Sequence, residues 1–442
     1  MNNKNIHDID MPVSGVAAPV GGGRNKNRHH VRTGAGRRQC RWSMLSLALF
    51  LSFCVCKPVA SQKKQEAASE IPIVGWWGIP ADESTPERFR ELKAAGIGIN
   101  FSPYPNIQAV EKALDAAQKA GVKVLPYCPE LKAEPEKTVR RLMKHPALAG
   151  YHLADEPGAG SFPVLAAWVR KIQAVDAHHG CYINLFPNHA PAEALGTATY
   201  TEHVEAFLRE VPVPFLSFDC YPVLETSGRR SLRDGWYANL EIISATARKA
   251  GIPFWAFALA TAHNPYPIPT TGELKLQMYS NLAYGAQTLQ YFTYWNPDTT
   301  TWNFHHAPID LHGKRTAVYD RIRQVNAEIQ HYASVFLGAK VISVEHTGRE
   351  IPAGTRRLSR LPEQVKKMDT GENGAVVSLL EKGNKRFWVI VNRDFQNPMK
   401  LTVIVSDEVK RVLKDGTLVP TGAYSQEYEV DAGDAIIFAI NN

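Results

Sequence analysis

The sequence predicts an α/β protein: a (β/α)8 (TIM) barrel followed by a small C-terminal β-sandwich. Three observations carry this. A helix that ends in glycine and leads into a short β-rich run recurs between residues 71 and 333, as in "ELKAAGIGINFSP" (91–103), "AQKAGVKVLPYCP" (117–129) and "ARKAGIPFWAFALA" (247–260). Glycine suits the left-handed cap that closes a helix before a strand. The strand runs are apolar throughout, as expected where helices cover a parallel sheet. Near residue 335 the long helical runs give way to short strands separated by turns.

Eight strand runs follow in order: "IPIVGWW", "IGINFSP", "VKVLPYC", "AGYHLAD", "CYINLFP", "PFLSFDCYP", "PFWAFALA" and "LQYFTYW". The helices between them include "TPERFRELKAAG", with Ser84 or Thr85 as its cap, then "NIQAVEKALDAAQKAG", "FPVLAAWVRKIQAV", "WYANLEIISATARKAG" and "KLQMYSNLAYGAQT". Eight such units over roughly 260 residues match the size of a closed barrel. An open doubly wound sheet would bring a Gly-rich phosphate loop after an early strand, and the chain has none. The sandwich strands are "AVVSLLEKG", "RFWVIVNRD", "KLTVIVSD" and "DAIIFAI", and 350–374 reads as a long loop. The expected domains are a polar N-terminus with an export leader over 1–62, the barrel over 63–334 and the sandwich over 335–442.

The formal net charge of +7 belongs to the leader, because residues 1–62 hold nine Lys/Arg and two Asp and the remainder balances. A basic surface for nucleic acid is therefore not expected. In "RRQCRWSMLSLALFLSFCVCKPVASQ", Arg37, Arg38 and Arg41 precede an apolar run of about 14 residues and "VAS" precedes Gln62, the pattern of a cleaved signal peptide. The mature protein is expected in the periplasm or at the cell surface. A lipid anchor at Cys54 or Cys56 is the alternative, although Phe53 and Val55 stand where a small residue is usual. Past the leader, Cys128, Cys181 and Cys220 are too few and too far apart for a disulfide framework and read as buried thiols. The pairs His178–His179 and His305–His306 lack ligand spacing, so no metal and no cofactor is expected.

In a (β/α)8 barrel the chemistry sits where strands end. The tips offer Trp76, Trp77, Asn100, Tyr104, Tyr127, Asp155, Glu156, Asn184, Asp219, Tyr221, Trp255, Tyr294 and Trp295, with Trp302 and His305 in the loop after the last strand. Trp76 and Trp77 differ in parity, so one of them should pack into the core. Aromatic rings interleaved with acids and amides suit a sugar, whose apolar faces stack while its hydroxyls bind polar groups. An oligosaccharide or polysaccharide is the expected partner, with no nucleic acid and no stable protein partner implied.

With "DEP" closing the fourth strand, the chain resembles the superfamily of barrel glycoside hydrolases that includes the family 42 β-galactosidases. The resemblance implies that Glu156 is the general acid. Two features depart from that pattern: "FWAFALATAHNPYP" has no acid at the seventh strand, where the retaining enzymes keep a Glu nucleophile, and Asp155 stands where they have Asn. The adjacent Asp155-Glu156 pair is similar to that of the family 20 and 123 hexosaminidases. There Asp would orient the substrate's own attacking 2-acetamido group and Glu would protonate the leaving oxygen; Tyr221 would then donate to the acetamido carbonyl and Trp295 would floor the pocket. The other assignment pairs Glu156 with Asp219, in "LSFDCYP", as nucleophile or base. A non-catalytic glycan-binding protein on a degenerate barrel is the rival reading, favoured by the missing seventh-strand acid.

Overall fold

A computed structural model describes residues 70–298 and 302–441; the leader, and with it the export reading, lies outside them. Eight parallel strands form one sheet: β1 (Ile73–Trp76), β2 (Ile99–Pro103), β3 (Lys123–Tyr127), β4 (Gly150–Asp155), β5 (Gly180–Leu185), β6 (Leu216–Phe218), β7 (Phe254–Leu259) and β8 (Thr288–Phe292). Apart from β3 and β4, each strand pairs with its sequence neighbours, and β8 pairs with β1. The remaining seam, between β3 and β4, is bridged where Val124 N donates to Ala147 O and Ala149 N donates to Val124 O. The fold is the barrel that the sequence predicts.

The helices stand where the helix–glycine pattern places them. Ile107–Ala120 is capped by the Asn106 side chain and closed by Gly121 at φ +66°, after which the chain turns into β3. Thr85, not Ser84, caps the first helix, Pro86–Ala94. Residues on the outer face of the strands, such as Ile73, Val124, Tyr151, Leu185 and Leu289, pack with the helices into one continuous core. Cys128, Cys181 and Cys220 are buried free thiols.

The C-terminal part is a sandwich of two antiparallel sheets. Six strands run in the order Lys340–His346, Ala375–Lys382, Lys385–Asn392, Ala435–Asn441, Lys410–Val412 and Leu418–Pro420, and three in the order Val365–Asp369, Met399–Val405 and Gln426–Val430. The stretch 350–374, expected as loop, therefore carries a strand. The six-stranded sheet is apolar on both faces. Trp388, Ile390, Ile436 and Phe438 face the smaller sheet, while Phe387, Val389, Val391 and Ile437 join the barrel core. That explains why "FWVIV" and "AIIF" read as unbroken apolar runs rather than alternating ones.

The barrel presents helix Thr271–Ala283 to this sheet, and every residue from Glu273 to Ala283 is buried. Ser378 Oγ donates to Ala283 O across the contact. Asp434, only 3% exposed, is held between Lys275 and Lys414, and both lysines also meet Glu328. An acid that reads as a turn residue is thus the centre of a buried ion network joining sandwich to barrel.

Candidate active site

The site is built at the C-terminal ends of β4, β5 and β6. Neighbouring residues in a regular strand point to opposite faces, yet Asp155 and Glu156 both serve the mouth. Two irregularities allow this. The β4–β5 register shifts between His152 and Ala154, and Glu156 adopts φ +45°, a left-handed conformation that costs a non-glycine residue about 1–2 kcal/mol. The turn is held by Glu156 N donating to Asn184 O at 2.8 Å. Gly158 is required just beyond, because a Cβ there would lie 2.7 Å from Ala194 O. The backbone is strained at the residue that the resemblance nominates as general acid, the pattern of a functional constraint.

Three carboxyl groups meet at this point. Asn184, on β5, donates through Nδ2 to Asp155 Oδ1 at 3.1 Å and to Asp219 Oδ1 at 2.8 Å. Glu156 lies close enough to Asp219 and Asp155 to feel both charges. Burial pushes the Glu156 carboxyl well above its ordinary range, and the charges of Asp219 and Asp155 push it further. Asp155 lies open to solvent in the mouth but is walled in by protein. Burial first and Asp219 second raise it to about 7, against the pull of the Asn184 hydrogen bond. Like charges crowded into one buried site cannot all ionise easily, so Glu156 holds a proton at neutral pH.

Aromatic groups line the space beneath and beside the acids. Trp76, Phe101, His152, Phe257 and Phe292 pack ring to ring inside the barrel, and Tyr182 stacks under His152. Tyr127 meets the edge of His152. Tyr221 stands among Phe257, Tyr266 and Phe292 and feels the charges of Asp219 and Asp155. The loop after β8 folds back over this wall, Phe304 packing on His263 and Phe292. Burial lowers His263 to about 4 and His152 to about 3, so both rings are neutral. Both His152 nitrogens and Trp76 Nε1 are buried without a hydrogen-bond partner.

The sequence-nominated residues thus divide. Asp155, Glu156, Asn184, Asp219, Tyr221, Tyr127 and Trp76 come together, and four do not. Asn100 points away from the barrel interior and is sealed, its Oδ1 accepting from Ile79 N at 2.8 Å and its Nδ2 donating to Tyr104. Trp255 lies at the opposite end, near the start of β7, stacked on Phe215 at 3.9 Å between ring centroids. Tyr294 and Trp295 follow β8 alongside β1, donating from their backbones to Trp76 O and Trp77 O. Their side chains join the outer core, and the Arg88 guanidinium covers the Trp295 ring at 5.1 Å. Trp295 is therefore not a pocket floor. His152, His263 and Phe304 escaped the sequence reading. His152 had a signal, since it shares strand parity with Glu156 in "GYHLADE".

Among the described residues, no cluster of three or more His, Cys, Asp or Glu could hold a metal ion. The end of β7 carries no acid: the first carboxylate after Phe254 is Glu273, which caps its own helix and pairs with Arg230.

Residues 185–332 match the glycoside hydrolase family 42 model, described as beta-galactosidase. Among solved structures, the chain is similar to a beta-galactosidase from Bacillus circulans sp. alkalophilus, with a TM-score of 0.59, 10% identity and coverage of 85% of this chain and 99% of that one. It is also similar to a catalytic mutant of a family 42 beta-galactosidase from G. stearothermophilus (TM-score 0.55, 9% identity, 85% and 99% coverage). A family 39 glycoside hydrolase from Bacteroides cellulosilyticus WH2 matches with a TM-score of 0.52, 10% identity and coverage of 84% and 81%. At these identities the structural likeness concerns the fold. No curated protein matches the chain. The resemblance to barrel glycoside hydrolases is borne out by the family model over 185–332 and by the shared architecture, and "DEP" lies outside the matched residues.

Proposed function

We propose that this chain is an exported glycoside hydrolase acting on an oligosaccharide or polysaccharide, with Glu156 as proton donor and Asp219 as nucleophile. The observation that carries the reading is the meeting of Glu156, Asp155 and Asp219 at the mouth of the barrel, the two aspartates joined through Asn184, and Glu156 held protonated by burial and by their charges. Retaining enzymes keep their two carboxyl groups about 5–5.5 Å apart and inverting ones about 6.5–9.5 Å. Retention is the outcome to test, with a bound sugar seated between Glu156 and Asp219. In this scheme Glu156 protonates the glycosidic oxygen while Asp219 attacks the anomeric carbon. The Glu156 carboxylate then takes a proton from the water that releases the sugar. Asp155 adds negative charge that keeps Glu156 protonated and offsets the positive charge growing on the sugar ring. Export, to the periplasm or cell surface, rests on the leader at residues 37–62.

A β-galactoside is the first substrate class to test, because the matching family model is described as beta-galactosidase. Substrate assistance on a 2-acetamido sugar is the second reading, supported by the hydrogen bond from Asn184 that holds Asp155 beside Glu156. Aryl glycosides with and without a 2-acetamido group, followed by NMR of the released anomer, separate the two. Turnover of the plain glycoside with retention supports the carboxylate pair. Turnover confined to the acetamido sugar supports assistance by Asp155, and binding without turnover of any glycoside supports the binding-protein rival.

A further inference from the structure

Beneath the three carboxyl groups lies a run of buried polar side chains in an otherwise aromatic barrel interior. Tyr182 OH donates to Gln290 Oε1 at 2.8 Å. Gln290 Nε2 donates to Ser217 Oγ at 2.9 Å. Ser217 Oγ lies 2.8 Å from Asn184 Oδ1 and 3.0 Å from Tyr182 OH, and has one hydrogen to give. The Asn184 carbonyl is the stronger acceptor, so the donors run in one direction from Tyr182 to Asn184. Asn184 ends the run by giving both Nδ2 hydrogens to carboxylates. Asn184, Ser217 and Gln290 are each no more than 2% exposed, as is Tyr182.

This direction matters because an amide can face either way. Turned over, Asn184 would set its oxygen against two carboxylates and its nitrogen against a hydroxyl that already accepts from Gln290. We propose that Ser217, itself oriented by Gln290 and Tyr182, is a positioning residue that locks the Asn184 amide with its N–H groups toward Asp155 and Asp219, and thereby leaves the proton of the cluster on Glu156. Hydrogen bonds donated to a carboxylate favour its charged form. The proposal rests on the reading of this cluster as the reacting centre, but the cluster can be titrated without any substrate.

The test is an infrared titration of protonated carboxyl groups in the ligand-free, full-length protein, with Asp155→Asn and Asp219→Asn variants assigning the bands. Ser217→Ala removes the lock and should raise the ionisation midpoints of Asp155 and Asp219 by about one pH unit. Ser217→Thr keeps the hydroxyl and should restore the native midpoints. Tyr182→Phe, which frees only Gln290, should move them in the same direction by less, and it answers alone if Ser217→Ala does not fold. Where a glycoside is turned over, the acid limb of kcat/KM should move with the midpoints. Native midpoints in Ser217→Ala, or in Tyr182→Phe if it must answer alone, or a Thr variant that behaves like Ala, would overturn the proposal. Shifted midpoints in a protein that hydrolyses no glycoside would leave the lock standing and remove the glycosidase reading instead.

Discussion

Replacing Asp219 by asparagine should make the protein more stable at neutral pH while removing its turnover. The new amide would still accept from Asn184 and could donate to Glu156, so the shape of the cluster survives and only a charge is lost. Two unit charges about 4 Å apart interact by about 4 kcal/mol at an effective dielectric of 20. Solvent in the mouth screens this, leaving roughly 1–3 kcal/mol. On the per-residue entropy scale, for a chain of this size, that is about 1–4 °C in Tm. The pH dependence gives the sign. Asp155 is raised to about 7 and Glu156 is raised as well. Their contribution to stability is therefore fully present below the unfolded carboxyl range, near pH 4, and is lost as pH rises through about 7 and beyond. Asp219→Asn should flatten this fall, matching the native protein near pH 4 and exceeding it at pH 8. Thermal unfolding of both proteins across that range is the assay. A variant less stable at pH 8, or shifted equally at every pH, would refute the idea that crowded like charges set the site.

The interface network predicts that Asp434→Ala costs about 3–5 kcal/mol, because it leaves Lys275 buried without that partner. Denaturant unfolding would show this, while Asp431→Ala, at an exposed side chain, should stay within about 0.5 kcal/mol and neither change should alter turnover per folded molecule. Trp295→Leu should lower Tm but leave KM within about twofold, since its ring packs under Arg88 and not on substrate; a large rise in KM would return Trp295 to the pocket. Tyr221→Phe keeps the ring and removes the hydroxyl, and should raise KM or lower kcat at least several-fold if that hydroxyl binds sugar, which steady-state kinetics would read.

The barrel was legible because its signals are local and repeated: a capped helix, a glycine, an apolar strand. Asp155, Glu156, Asn184 and Asp219 were legible for a related reason, since polar residues closing apolar strands have few places to go except the mouth. Errors arose where position along a strand had to be judged. Trp255 belongs to the beginning of β7 and Tyr294 lies beyond the end of β8, so counting apolar runs put both at the wrong height. Asn100 is adjacent to the inward Phe101 and therefore faces outward, a parity that the strand pattern already contained. The strand Val365–Asp369 was hidden because it is an edge strand in the smaller sheet. Its lysines and aspartate blunt that edge and make it read as loop. The ion network around Asp434 was invisible because its partners lie far off in sequence, Lys275 being 159 residues away.

The central claim is that Glu156 delivers a proton to the departing oxygen. Glu156→Gln keeps the shape of the side chain but has no proton of that acidity to give. Positioned proton transfer contributes typically about 10²–10⁴-fold. The measurement is kcat/KM of native and Glu156→Gln protein on two glycosides of the same sugar, one with a poor alcohol leaving group and one with an activated aryl leaving group. The account predicts a loss of roughly 10²–10⁴-fold on the first and a much smaller loss on the second, which departs with little help. Equal rates for native and variant protein on both substrates would contradict it, and the strained turn at Glu156 would then need another explanation.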